Sequence, residues 1–110
     1  RKLSLENFYD RVVKFEFDEL CNRNLGSEDY IAIAENCDFI FISNLPEFNK
    51  NNSNQQQRFI TLIDIVYEKK IPLMVTSEVN LDAMKSSEST IEPFKRTISR
   101  LYELTSMSYD

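Results

Sequence analysis

Residues 55–77, QQQRFITLIDIVYEKKIPLMVTS, carry the clearest hydrophobic pattern in the chain. Within them Phe59, Ile60, Leu62, Ile63, Ile65, Val66 and Tyr67 leave polar only a narrow stripe of Arg58, Thr61, Asp64 and Glu68. A surface helix ordinarily shows an apolar stripe on a polar cylinder; here the proportions are reversed. The pattern predicts a central helix over residues 55–69, too short and too interrupted to span a bilayer, followed directly by a strand over 73–76. A sheet covers only one side of such a helix. The remaining apolar side chains require cover from the last helix, from a further domain, or from a second copy of the chain. Self-association or an exposed apolar patch is therefore expected.

Around this helix the elements alternate. Val13, Phe15 and Phe17 interleave with Val12, Lys14 and Glu16, the period of a strand with one apolar face; that strand is placed over 12–17, with residues 2–5 joined to it as a hairpin. Residues 18–22 suit a helical turn. Ser27 is a candidate N-cap with Asp29 in the first turn, opening a short helix over 27–35. The run Asp38-Phe39-Ile40-Phe41-Ile42-Ser43 is apolar without alternation, as in a strand buried on both faces of a parallel sheet. Residues 49–57, NKNNSNQQQ, form a polar tract expected to be a mobile loop grading into the central helix. A turn of helix is expected near 81–84. Glu92-Pro93 opens a last helix over 93–106, with Phe94, Ile98, Leu101, Tyr102 and Thr105 on one side, and the residues beyond it should fray. Together these elements predict an α/β fold, a three-layer-like single domain with a short parallel sheet. Its strands, near 12–17, 39–43 and 73–76, lie side by side through right-handed crossovers. In such sheets functional residues collect beyond the C-terminal strand ends, here Ser43-Asn44 and Thr76-Ser77-Glu78.

Composition removes more chemistry than it suggests. A chain of 110 residues can bury a core without disulfides or a structural metal. Its net charge of −5 and its lack of a Lys/Arg run argue against a nucleic-acid partner. It starts at Arg1 with no leader, as expected of a piece of a longer protein. Cys21 and Cys37 sit among apolar neighbours and read as buried, reduced core residues. With no histidine there is no His-activated nucleophile, and no metal site is expected. Gly26 is the only glycine, so no GxxxxGK[ST] loop exists. The apolar strand runs into Ser43-Asn44, where an acidic pair would hold Mg²⁺. The chain alone should neither bind ATP tightly nor hydrolyse it.

Three arginines remain as candidates: Arg58, Arg96 and Arg100. Arg96 and Arg100 stand four residues apart on one helix face. One reading pairs Glu92 with Arg96 and Glu103 with Arg100, giving a solvated face. The other is a two-arginine fork open to a carboxylate or phosphate on a neighbouring domain. Arg58 belongs to the polar stripe where the central helix begins. Glu78 lies just past a strand end, but it is one acid without an evident partner.

The segments VVKFEFDELC, GSEDYIAIAENCDFIFISNLP, QRFITLIDIVYEKKIPLMVTSEV and FKRTISRLYELTS together resemble the C-terminal part of the ZapE family, and the likeness runs from residue 12 to residue 110. The resemblance implies a fragment of a P-loop, AAA+-like ATPase whose Walker A and Walker B segments lie upstream. ATP and Mg²⁺ are implied for that parent protein, with no cofactor in the fragment itself. By the same resemblance Arg58 in QRFITLID, and Arg96 and Arg100 in RTISRL, are candidate nucleotide-sensing or interface residues. The implied partners are the upstream ATPase core and a client, either a division-ring protein or a membrane protein. The implied location is the cytoplasm near the inner membrane of a bacterium, or alternatively a mitochondrion. The chain departs from the family pattern at Gln57, where relatives carry a second arginine, and at Asn80, where a proline is usual. The first departure weakens any phosphate site at the start of the central helix. An alternative function is a protein-interaction domain whose arginines never meet nucleotide.

Overall fold

The computed structural model describes residues 11–106, so the strand expected over 2–5 and the end expected to fray after 106 lie outside the described residues. Strand β1 (Val12–Glu16) leads into a five-residue helix α1 (Phe17–Cys21), and helix α2 (Ser27–Glu35) precedes strand β2 (Phe39–Leu45). Helix α3 (Ser53–Glu68), strand β3 (Leu73–Ser77) and helix α4 (Ile91–Thr105) follow, with 3₁₀ turns at Lys50–Asn52, Leu81–Ala83 and Glu88–Thr90. The sheet runs β1-β2-β3 and both pairings are parallel, as the pattern predicts.

Register divides the sheet into two unlike faces. Val13, Phe15, Ile40, Ile42, Leu73 and Val75 share one face and pack into the core with the helices. Two successive right-handed crossovers advancing in one direction put their helices on the same side of a sheet, which is why this face is covered. Val12, Lys14, Phe39, Phe41 and Met74 share the other face, and of these Phe39 is buried. There Val12 is 53% and Met74 43% exposed, half-buried Phe41 lies under the Lys14 ammonium at 5.4 Å, and among the described residues no helix covers it. The described residues thus supply one helical layer, and the apolar run of β2 is buried by helices on one face only.

Four local expectations are revised. Phe17 starts α1 rather than ending β1, because the Glu19 carboxylate accepts the Glu16 N–H at 2.8 Å and turns the chain there. Helix α2 is capped one residue early, with the Gly26 N–H donating to Asp29 at 2.9 Å. The polar tract is ordered. Asn49 and Asn52 exchange caps, with the Asn49 side chain accepting the Asn51 N–H at 2.7 Å and that of Asn52 accepting the Asn49 N–H at 2.8 Å. Helix α3 consequently begins at Ser53. On α4 the buried positions are Phe94, Thr97, Leu101 and Leu104, whereas Tyr102 and Thr105 are exposed.

Helix α3 fills the position its pattern demands. Phe59, Ile60, Leu62, Ile63 and Val66 are buried, and Ile65 and Tyr67 pack half-buried against the same cluster. Neighbouring α2 and α4 supply the cover, so the large apolar side chains left exposed lie elsewhere, Val12 and Met74 on the sheet and Ile31, Ile91 and Tyr102 on α2 and α4. The helix stops at Lys70, in the left-handed region with φ 55°. The Lys70 N–H bonds the Tyr67 carbonyl at 3.1 Å and the Ile71 N–H that of Val66 at 3.2 Å. These crossed bonds satisfy the last carbonyls of the helix, and Ile71 is buried behind them.

Candidate functional site

The two arginines of α4 meet one carboxylate. Arg100 Nη1 donates to Asp64 Oδ1 at 2.5 Å and Arg96 Nη2 donates to Asp64 Oδ2 at 3.3 Å. Neither uses the acid expected on its own helix. Glu92 pairs with Lys95 at 3.0 Å, and Glu103 takes Lys70 at 3.8 Å and the Tyr67 hydroxyl at 3.0 Å. The two arginines thus converge on one carboxylate, and that carboxylate belongs to the central helix of the same chain. The Arg100 guanidinium also lies over the Tyr67 ring, 4.5 Å from its centroid, and Lys70 lies 4.0 Å from the same centroid.

Arg58 stands apart from this pair. Its Nη1 donates to the Cys21 carbonyl at 3.0 Å, tying α3 to the end of α1, beside a cleft of about 270 Å³ lined by Gly26, Ser27, Tyr30 and Gln57 among others. Beneath it the Tyr30 hydroxyl donates to the Leu20 carbonyl at 2.7 Å. Burial pushes the Cys21 thiol up to about 12 and raises Tyr30 as well, and burial likewise raises Cys37. Both free cysteines are thiols at neutral pH, inert as nucleophiles and consistent with core packing.

The strand ends converge as parallel-sheet geometry requires. The Asn44 N–H donates to Thr76 Oγ1 at 3.0 Å, and the Ser43 hydroxyl and Asn44 amide both donate to Glu16, the former at 2.8 Å. Hydrogen bonds from Asn44 and then Ser43 hold the Glu16 carboxyl below its usual range. Asn44 itself is left-handed, with φ 63°, where the β2–β3 register slips. Glu78 lines the adjoining cleft with Asn44 and Thr76.

This arrangement does not fit a whole Mg²⁺–ATP site. The one glycine opens α2, but its N–H is already held by Asp29, and Glu28 and Asp29 in that first turn repel a phosphate. No step of ATP hydrolysis is therefore assigned to these residues. The arginine pair fits a single anionic group.

Three residues important to this geometry escaped the sequence pattern. Asp64 lay in the polar stripe, and only the packing of α4 on α3 shows that it serves both arginines. Glu16 faces Ser43 through the β1–β2 register. Gln56, within the polar tract, is fully buried. Its Oε1 accepts the Ser87 N–H at 3.1 Å and the Thr90 hydroxyl at 2.7 Å, and its Nε2 donates to Ser86 Oγ at 2.8 Å, fixing the segment that leads into α4.

Among the described residues no helix is long and apolar enough to cross a membrane. A family model described as AFG1-like ATPase matches residues 1–110. The chain is 32% identical over 84 residues to "Lactation elevated protein 1 homolog B" of Danio rerio, covering 76% of this chain and 17% of that protein. It is 28% identical over 109 residues to "Cell division protein ZapE" of Escherichia coli K12, covering 99% of this chain and 29% of that protein. No solved structure matches significantly. The chain thus spans less than a third of the length of these curated relatives.

Proposed function

The chain belongs to the AFG1-like ATPase family, and on that premise we propose that it is an accessory α/β domain that docks on the family's P-loop core and transmits its nucleotide state. The observation that carries this reading is the open face of the sheet. Val12, Phe41 and Met74 present an apolar strip on the side away from the helical layer. Leaving apolar side chains in water forgoes about 1.5–3 kcal/mol for each one that a partner would fully bury. The core is the partner that buries this strip. Nucleotide-dependent movement of the core then displaces the sheet and α3 together, because side chains of β1, β2 and β3 share one cluster with those of α3. Arg58, Arg96 and Arg100 are the candidates for contact with nucleotide or with a neighbouring domain. ATP and Mg²⁺ belong to the core. The similarity to a cell division protein along nearly the whole chain supports a role for the complete ATPase at the division ring, on the cytoplasmic side near the inner membrane.

A glutamate at position 74 tests the docking. Met74 is exposed, so Met74→Glu should change the stability of the chain by no more than about 0.5 kcal/mol. In the complete ATPase it buries a charge at the interface and should lower ATP turnover about tenfold or more. Unchanged turnover would exclude this face as the docking surface. A domain that only recruits a client draws on the same face but gives another result, with client binding lost and intrinsic turnover kept.

A further inference from the structure

We propose that Asp64 is an internal latch on a phosphoryl-binding fork made by Arg96 and Arg100; the inference rests on the reading that this domain responds to nucleotide. The two guanidinium groups leave α4 one turn apart and share one carboxylate, each through a single hydrogen bond. A guanidinium carries five N–H donors, so most donors of the pair are not spent on Asp64. Two cations on one anion also leave a net positive charge at the fork. The pair is accessible, with the Arg96 side chain 51% and that of Arg100 26% exposed. Arg100 is held from a second side by the Tyr67 ring, so it stays in place when Asp64 lets go. The nearby acid, Glu103, is engaged by Lys70 and Tyr67.

The latch selects the ligand. A free carboxylate has the charge and geometry of Asp64 but must displace a group tethered to the same chain, whose effective concentration is on the order of millimolar. It gains nothing by the exchange. A phosphoryl group brings a charge near −2 and three acceptor oxygens, enough to engage both forks in bidentate fashion. Phosphoryl groups therefore enter where carboxylates do not, and their entry breaks the Asp64 tie between α3 and α4 while the apolar packing of the two helices remains. The ligand is either a nucleotide polyphosphate or a free phosphate, which share this chemistry.

The test follows the Arg96 and Arg100 side-chain N–H resonances of the 110-residue chain during titration with pyrophosphate, ATP, adenosine and malonate. Pyrophosphate and ATP should shift both resonances, while adenosine and malonate should not. Tighter binding of ATP than of pyrophosphate makes a nucleotide the natural ligand, and equal binding makes it any phosphoryl group. Asp64→Asn should tighten pyrophosphate binding about fivefold, the worth of two partly exposed ion pairs, and should admit malonate. Glu103→Gln removes the same charge beside the fork and should have less than about half that effect. Arg100→Lys keeps the charge and should abolish the pyrophosphate shifts at Arg96. The proposal is overturned if pyrophosphate shifts neither arginine in the wild type and Asp64→Asn chains, or if Glu103→Gln tightens binding as much as Asp64→Asn. Neither result touches the docking reading, which the substitution at Met74 tests separately.

Discussion

Phe59→Ala is expected to lower the unfolding free energy of the chain by about 3–5 kcal/mol, a large share of the ~5–15 kcal/mol that holds a small domain together. Phe59 is fully buried, and its ring centroid lies 5.9 Å from that of Phe17 and 6.0 Å from that of Phe48. Phe48 in turn meets Phe94 edge-on at 5.4 Å. This aromatic cluster therefore joins α1, the segment after β2, α3 and α4. Walls contributed by four separate segments cannot collapse together into the space left by the ring, so most of the cavity persists. Urea unfolding should show the midpoint falling with an unchanged denaturant slope. A loss below about 1.5 kcal/mol, the range of well-accommodated core substitutions, would mean that the cluster is not the brace described.

Gln56→Leu should cost about 2–3 kcal/mol. Leucine keeps the helix and roughly the volume, so the loss isolates the hydrogen bonds. The Ser87 N–H is buried and Gln56 Oε1 is its acceptor, while the Thr90 hydroxyl retains only a 3.3 Å bond to the Ser87 carbonyl and a 3.3 Å contact with the Ser86 hydroxyl. The orphaned amide should exchange with solvent faster, and the entry to α4 should loosen with it. Wild-type stability together with unchanged exchange at Ser87 would contradict this assignment.

These two residues show where the sequence could and could not be read. Phe59 belonged to a hydrophobic pattern dense enough to place α3 at the centre, and the apolar run of β2 between two helices was sufficient for the parallel order β1-β2-β3. Gln56 was hidden because polar tracts resemble loops whenever their partners are remote, and its partners lie about 30 residues ahead. The arginine fork was half legible. Spacing put Arg96 and Arg100 on one face, but local acids at helical spacing looked equally suitable as partners. Asp64 is chosen instead because α4 packs across α3, a fact of tertiary geometry. The same limit applies to the sheet. A strand apolar on both faces implies cover on both, yet nothing in its residues says whether the second cover comes from this chain or from another domain.

Met74 gives the most direct test of the account, through its rate of oxidation by dilute peroxide in the 110-residue chain and in the complete ATPase. In the chain Met74 projects from the open sheet face and should oxidise as an exposed thioether. Docked on the core it should react at least about tenfold more slowly, since oxidation follows exposure. Half-buried Met84, near Leu81 and Phe94 on the helical side, should react equally in both and serves as the internal reference. Protection of Met74 alone is the predicted result; equal oxidation of Met74 in the chain and in the complete ATPase would contradict the docking of this sheet on the ATPase core.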